Sequence, residues 1–331
     1  MLPHPLASTE VSTLPVPEAP VPAAVAAPGR FLCSGTAWDA AGPALKLYRP
    51  DGTSENVRLE PGTELRFEVL AGAGGETKFC LGSWQVDDAG RQNHTPCPAQ
   101  APAERGYQCS TCFIRDEVRA IHNSHRTGSV PPNLRRYLEQ PHWLYVATFA
   151  DGSTKIGTAA DPRKQLRLVE QGAVRARYVA RAGDGLIVRV LEDTATAVVG
   201  LPQAVRAGTK TAALCRPLPA GTLDALNAEA AESVRAMLAE TAVTGFRPVE
   251  ETWEPPAQFA TVLETACELY PCDPAAGGHG MVIDAVLGST ALVRVDGEQA
   301  RFAADLSRLK GRRLRTGSYR TALPALQAAL F

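Results

Sequence analysis

The sequence predicts an α+β protein: a small α/β domain in the middle of the chain, flanked by a β-rich N-terminal region and a small β-rich C-terminal unit. Three observations carry this reading. Between about residues 142 and 212, strand-like and helix-like patterns follow one another in the order β-β-α-β-α. On either side, short apolar and β-branched runs are separated by Pro and Gly turn signals. Ahead of the central pattern lies a polar stretch with few core-forming residues but four cysteines, a composition that needs a metal or a neighbour to hold it.

Residues 1–30 are rich in Pro, Ala and Val. Pro3, Pro5, Pro15, Pro17, Pro20 and Pro22 break any continuous apolar run, so the segment reads as a disordered, partly polyproline tail and not as a secretory signal. Residues 31–140 are the β-rich, zinc-binding region. Ala44–Leu47 and Glu64–Leu70 are its strands, set apart by turns at Pro50-Asp51-Gly52 and Pro61-Gly62, and a polar segment runs from Ala71 to Gln108. Residues 141–213 are the central domain. Trp143–Phe149 is a strand, Asp151-Gly152 a hairpin turn and Thr154–Ile156 the returning strand. Asp161 is placed to cap a helix with Pro162 in its first position, running to Glu170 and stopping near Gly172. Val174–Ala180 completes a three-stranded antiparallel sheet, and Leu186–Val199 is a second helix. Residues 214–331 begin with an amphipathic helix, Leu223–Ala242. A Pro-rich link follows from Pro248 to Pro256, then β-prone runs at Gly280–Val286, Ala291–Val295 and Gln299–Phe302, with turns at Gly288 and Gly297. The stretch Arg308–Arg315 is strongly basic.

The whole chain has a formal net charge of −1 over 331 residues, so any nucleic-acid role must rest on local patches. No run of about 18 apolar residues exists, which argues against a membrane span. With no secretory signal read, the expected compartment is a reducing cytoplasm, where clustered cysteines point to metal or catalysis more than to disulfides. Of the eight cysteines, Cys109-Ser-Thr-Cys112 is a CxxC pair preceded by Cys80 and Cys97. Zinc takes four such ligands in a tetrahedron, and a CxxC knuckle supplies two from one tight turn. Cys33, His94, His122 and His125 are reserve ligands. The alternatives are buried small hydrophobes or a redox pair, though no thioredoxin-like βαβ pattern surrounds the motif.

Leu144-Tyr145-Val146, then Lys155-Ile156-Gly157, then Arg167 and Glu192 resemble the signature of the GIY-YIG nuclease superfamily. Lys155-Ile-Gly-Thr, Arg167 and Glu170-Gln171-Gly172-Ala173 are similar to a bacterial family of uncharacterised proteins. Those proteins place paired cysteines before such a domain and a small β-rich unit after it. The resemblance implies a metal-dependent endonuclease that hydrolyses phosphodiester bonds. Glu192 would hold a Mg²⁺ or Mn²⁺ ion, Arg167 would clamp the phosphate, Tyr145 would orient or deprotonate the attacking water, and Lys155 would contact phosphate as a point charge. Lys155 stands where the superfamily has a second Tyr. Arg167 lies two residues beyond the position, here Gln165, that the better-known nucleases use.

From Lys155 to Arg181 seven basic residues face only two acids. Arg163, Lys164, Arg175 and Arg177, with Lys210 beyond them, are the candidate contacts to a nucleic-acid backbone, DNA before RNA. The competing function is a non-catalytic, zinc-containing module that binds nucleic acid or protein on the same scaffold. Tyr145 as core, Glu192 paired to Arg189, and Arg163 and Arg167 on a solvated helix face are the corresponding structural readings.

Overall fold

In a computed structural model the described residues are 29–323, apart from 76, 123 and 129; residues 1–28 of the Pro/Ala-rich tail lie outside them. The long apolar run of the central domain becomes strand β1 (His142–Thr148), every residue of which is buried. It is flanked by β2 (Thr154–Ala160) on one side and β3 (Arg175–Ala182) on the other, both antiparallel to it. Helix α1 (Lys164–Gln171) joins β2 to β3 and ends at Gly172, whose left-handed φ of +68° a side chain would disfavour. Helix α2 (Gly185–Val199) starts on Asp184, whose carboxylate accepts the Leu186 and Ile187 N–H groups. Helix α3 (Ala220–Glu240) buries Leu223, Asn227, Ala231, Val234 and Leu238, a helical stripe.

Strand alternation gives the sheet two faces. Leu144, Val146, Ile156 and Val179 pack with Val188 and Leu191 of α2 and Val234 of α3. Trp143, Tyr145, Ala147 and Tyr178 face the other way, into a core shared with Leu168 of α1 and with the outer sheet.

Two expectations for this domain are corrected. The sheet has four strands, not three: Phe246–Trp253 (β4) pairs with β3, so much of the expected Pro-rich link is strand. Proline is tolerated there because β4 is an edge strand and its register shifts between Pro248 and Glu251. Asp161 does not cap the helix. It lies in a 3₁₀ turn, Asp161–Arg163, and its carboxylate accepts the Trp143 indole N–H at 2.6 Å.

The outer strands come from both ends of the chain. Arg30–Asp39, Gly42–Tyr48, Ser54–Arg58 and Glu64–Leu70 join Glu268–Leu269, Gly277–Leu287, Thr290–Arg294, Phe302–Asp305 and Arg313–Thr316 in one nine-stranded sheet. Arg313–Thr316 lies between Arg30–Asp39 and Glu64–Leu70, antiparallel to both. The two flanking β-rich units are therefore one body: Phe31, Leu65 and Phe67 are buried in the same core as Met281, Leu292 and Leu314. The run expected at Gln299–Phe302 pairs three residues later, as Phe302–Asp305. Helix α1 packs on Arg30–Asp39, and its terminal Gly172 abuts Gly288 of the Leu287–Thr290 turn so closely that a Cβ on Gly288 would meet the Gly172 backbone N at 2.7 Å. No helix among the described residues is long and apolar enough to cross a membrane.

Candidate functional site

Cys80, Cys97, Cys109 and Cys112 are all buried, and their sulfurs lie within 4.8 Å of one another. A tetrahedral zinc with bonds of about 2.3 Å sets its sulfurs roughly 3.8 Å apart, so the donor set fits a structural metal such as zinc. Local backbone geometry assembles it. Gly82, at φ +112°, brings the Cys80 turn against the Thr95–Cys97 backbone; a Cβ there would sit 2.0 Å from the Thr95 carbonyl oxygen. The Gly82 N–H points at the Cys80 Sγ at 3.4 Å. Cys109 precedes the helix Ser110–Arg115, and Cys112 falls in its first turn. Burial pushes the Cys97 thiol up, but N–H groups of Ala101 and Ala99 and the neighbouring thiols outweigh it and hold Cys97 below the usual value.

The reserve ligands are engaged elsewhere. Cys33 is buried beside Lys310, His94 Nδ1 meets the Tyr48 hydroxyl at 2.8 Å, and His125 Nε2 meets Asp193 at 2.9 Å. The His122 side chain lies outside the described residues.

In the central domain, Tyr145 and Gly157 stand directly opposite each other across β1 and β2. The Tyr145 ring crosses the space that a side chain at 157 would fill. Its hydroxyl accepts the Gln171 amide at 2.6 Å, and burial raises its pKa against the opposing pull of Arg167; Glu192 raises it further. Lys155 shares that face of β2 and donates to the Gln203 carbonyl at 3.0 Å. Burial first, then Arg167 and Lys210, pull its pKa down to about 7, while Glu192 acts the other way. Tyr145 and Lys155 thus both lie in the fields of Arg167 and Glu192. Glu192 itself is only 3 % exposed and is held by Arg189 at 2.6 Å. Arg167 is exposed and has no carboxylate partner among the described residues.

The Glu170-Gln-Gly-Ala173 element gains a physical meaning in this setting. Glu170 pairs with Arg163 at 2.6 Å, Gln171 holds Tyr145, Gly172 ends the helix against Gly288, and Ala173 is fully buried.

The expected basic patch is largely consumed within the fold. Lys164 pairs with Glu251 and lies 3.5 Å from the Trp143 ring centroid. Arg177 pairs with Asp224 and donates to Asn227, and Arg175 donates to the Val174 carbonyl. Lys210 donates to the Gln171 carbonyl over the Phe149 ring, and burial pulls its pKa down to about 8. The basic stretch near the C-terminus behaves likewise: Arg308 pairs with Asp273, Arg315 with Glu68, and Arg312 and Arg313 donate to carbonyls of Thr77 and Gln100. Apart from Arg175, these cations meet acids or carbonyls distant in sequence, which local charge counting does not register.

A cleft of about 540 Å³ lies beside β2, walled by the end of that strand and by Arg163, Arg167 and Arg189; Arg163 holds Glu170 and Arg189 holds Glu192, while Arg167 has no carboxylate partner among the described residues. The hairpin Ser83–Val86/Gln92–Thr95 of the cysteine region lines it too, contributing Trp84 and Arg91. His142 lines the cleft as well. Its Nδ1 faces the Gln140 carbonyl at 2.8 Å and so carries the proton there, and burial lowers its pKa. Trp84, His142 and the cleft-wall position of Arg189 carry no signal in the sequence, because the cleft is assembled from segments far apart in the chain. Asn227, fully buried, holds the Val146 carbonyl, the Thr148 hydroxyl and Arg177. An amide in the apolar stripe of α3 is the one signal that marked Asn227 in advance.

No protein-family model, no curated protein and no solved structure matches this chain.

Proposed function

We propose that residues 142–253 form a GIY-YIG-type domain and that the protein is a metal-dependent endonuclease acting on phosphodiester bonds of nucleic acid. One observation carries the reading: Tyr145, Lys155, Arg167 and Glu192, spread over 48 positions of sequence, act on one another electrostatically beside a cleft lined with arginines. Arg167, exposed, beside the Tyr145 hydroxyl and without a carboxylate partner among the described residues, suits a phosphate clamp. Lys155, whose pKa is pulled down to about 7, can take or give a proton close to pH 7. Tyr145 has its oxygen held by Gln171, which leaves its proton free to be directed.

Glu192 is the carboxylate that would hold Mg²⁺, an ion content with one or two carboxylates and several waters. Arg189 engages only Oε2 of Glu192, at 2.6 Å, so the ion would be taken on Oε1 beside that pair. Bound there, the ion would supply charge neutralisation at the phosphate.

The same Arg189–Glu192 pair and the full burial of Tyr145 favour a second reading, a non-catalytic nucleic-acid-binding module on this scaffold. Incubation of the protein with DNA and RNA, with and without Mg²⁺ or Mn²⁺, separates the two. Metal-dependent cutting that falls about 100-fold or more in both Glu192→Ala and Arg167→Ala supports the nuclease. Binding without cutting, weakened by Arg167→Ala and by salt but indifferent to Glu192→Ala, supports the module.

A further inference from the structure

Trp84 is 42 % exposed, whereas the other three tryptophans, Trp38, Trp143 and Trp253, are 7, 8 and 2 % exposed. It is not a loose surface ring. Its backbone N–H is held by the Asp116 carboxylate at 3.0 Å and its carbonyl accepts the Glu117 N–H at 3.0 Å. Its indole packs on His94 with ring centroids 4.7 Å apart, and His94 is pinned in turn by the Tyr48 hydroxyl. The hairpin that carries Trp84 is docked at its tip. Arg136 donates to Asp88, and a Cβ on Gly90 would lie 3.2 Å from the Arg136 carbonyl oxygen. The fold therefore presents a fixed, half-open aromatic surface in the same cleft as Arg167 and as Arg163 and Arg189, the last two each paired with one carboxylate.

Building on the phosphodiester reading above, we propose that this cleft takes an unpaired nucleotide of a single strand, its base stacked on Trp84 and its phosphate among Arg163, Arg167 and Arg189. A fixed aromatic ring facing guanidinium groups is the combination that binds single strands: the ring stacks on any base, and the cations track the backbone. Size favours an unpaired nucleotide over a duplex. The cleft holds about 540 Å³, within the ~300–1,000 Å³ of small-molecule pockets and the scale of a single nucleotide, not of a helix two strands wide. The substrate class is thus a single-stranded end, a flap or a base turned out of its helix.

The exposed tryptophan is its own reporter. The full-length, metal-loaded protein is titrated with oligothymidylate, with oligouridylate and with a blunt duplex of equal length, without added Mg²⁺ or Mn²⁺, while tryptophan emission is read. A single strand quenches the emission and the duplex does not; the DNA and RNA arms identify the preferred sugar. Trp84→Phe removes most of the signal while retaining binding, and Trp84→Ala weakens single-strand binding about 10-fold. Arg167→Ala weakens binding and lowers its salt dependence. Equal or tighter binding of the duplex, or unchanged affinity in Trp84→Ala, overturns the proposal. The two readings fail separately. Quenching without cutting under added metal sinks the nuclease and leaves this site standing. Cutting of intact duplex that Trp84→Ala does not affect does the reverse.

Discussion

Gly157→Ala is the smallest change that tests how the candidate site is built. A Cβ at 157 would lie 2.6 Å from both Cζ and Oη of Tyr145 and 2.8 Å from Cε2. Carbon atoms rest at about 3.5–4.0 Å, so an ångström of separation is missing. The Tyr145 ring has nowhere to go: it is fully buried, edge-on to Tyr178 at 6.4 Å and tied to Gln171 through its hydroxyl. Over-packing of this kind costs about 1–3 kcal/mol. The conflict is with one partner, so shortening that partner should relieve it. Tyr145→Leu destabilises alone, but the double variant should be more stable than the sum of the two single losses by about 1 kcal/mol or more. Urea unfolding of the four proteins measures the cycle. A Gly157→Ala protein as stable as the parent, or strict additivity in the double variant, would refute the claim that Gly157 exists to bed Tyr145.

Elemental analysis of untagged protein should find close to one zinc per chain, and Cys112→Ser should lose the metal and unfold the region around Ser83–Thr95 before the rest. A content under about 0.3 equivalents removes the metal site. Lys155 gives a pH signature. Its pKa falls from 10.5 to about 7 on folding, so between those values the unfolded chain binds a proton that the native one sheds, and stability rises with pH across that window. The cost is fully present below pH 7. Lys155→Met should therefore stabilise the protein at pH 6 by an amount of order a few kcal/mol, with the advantage shrinking by pH 9; Lys210 leaves a residual slope of the same sign. Urea unfolding at the two pH values checks this, and a variant less stable than the parent at pH 6 would contradict it.

The local parts of the fold were legible in the sequence because their signals are local. The apolar run of β1 and the Gly172 stop place their elements to within one or two residues, and the Asp151-Gly152 turn fixes the start of β2, which runs four residues past the expected Ile156 to Ala160. The four cysteines were legible because metal chemistry constrains their type and spacing. What depends on distant partners was not. Nothing in residues 30–70 announces that strands ending at residue 316 complete their sheet. The count of basic residues was right, but Lys164 is spent on Glu251 and Arg177 on Asp224, acids 87 and 47 positions away. The Trp84 hairpin was invisible as a cleft wall for the same reason: a polar cysteine-rich segment gives no sign of the surface it will cover.

The four residues Arg313–Thr316 stand in the sheet between two strands that are close in sequence, Arg30–Asp39 and Glu64–Leu70. During synthesis those early strands wait, with open edges, for a segment made some 250 residues later. A chain stopped by a nonsense codon or clipped near Gly311 keeps its cysteine region and central domain but leaves the outer sheet split into two halves. Each half then offers a bare strand edge to other chains. Shortened products should thus collect in the insoluble fraction even though every residue of the candidate site is present in them.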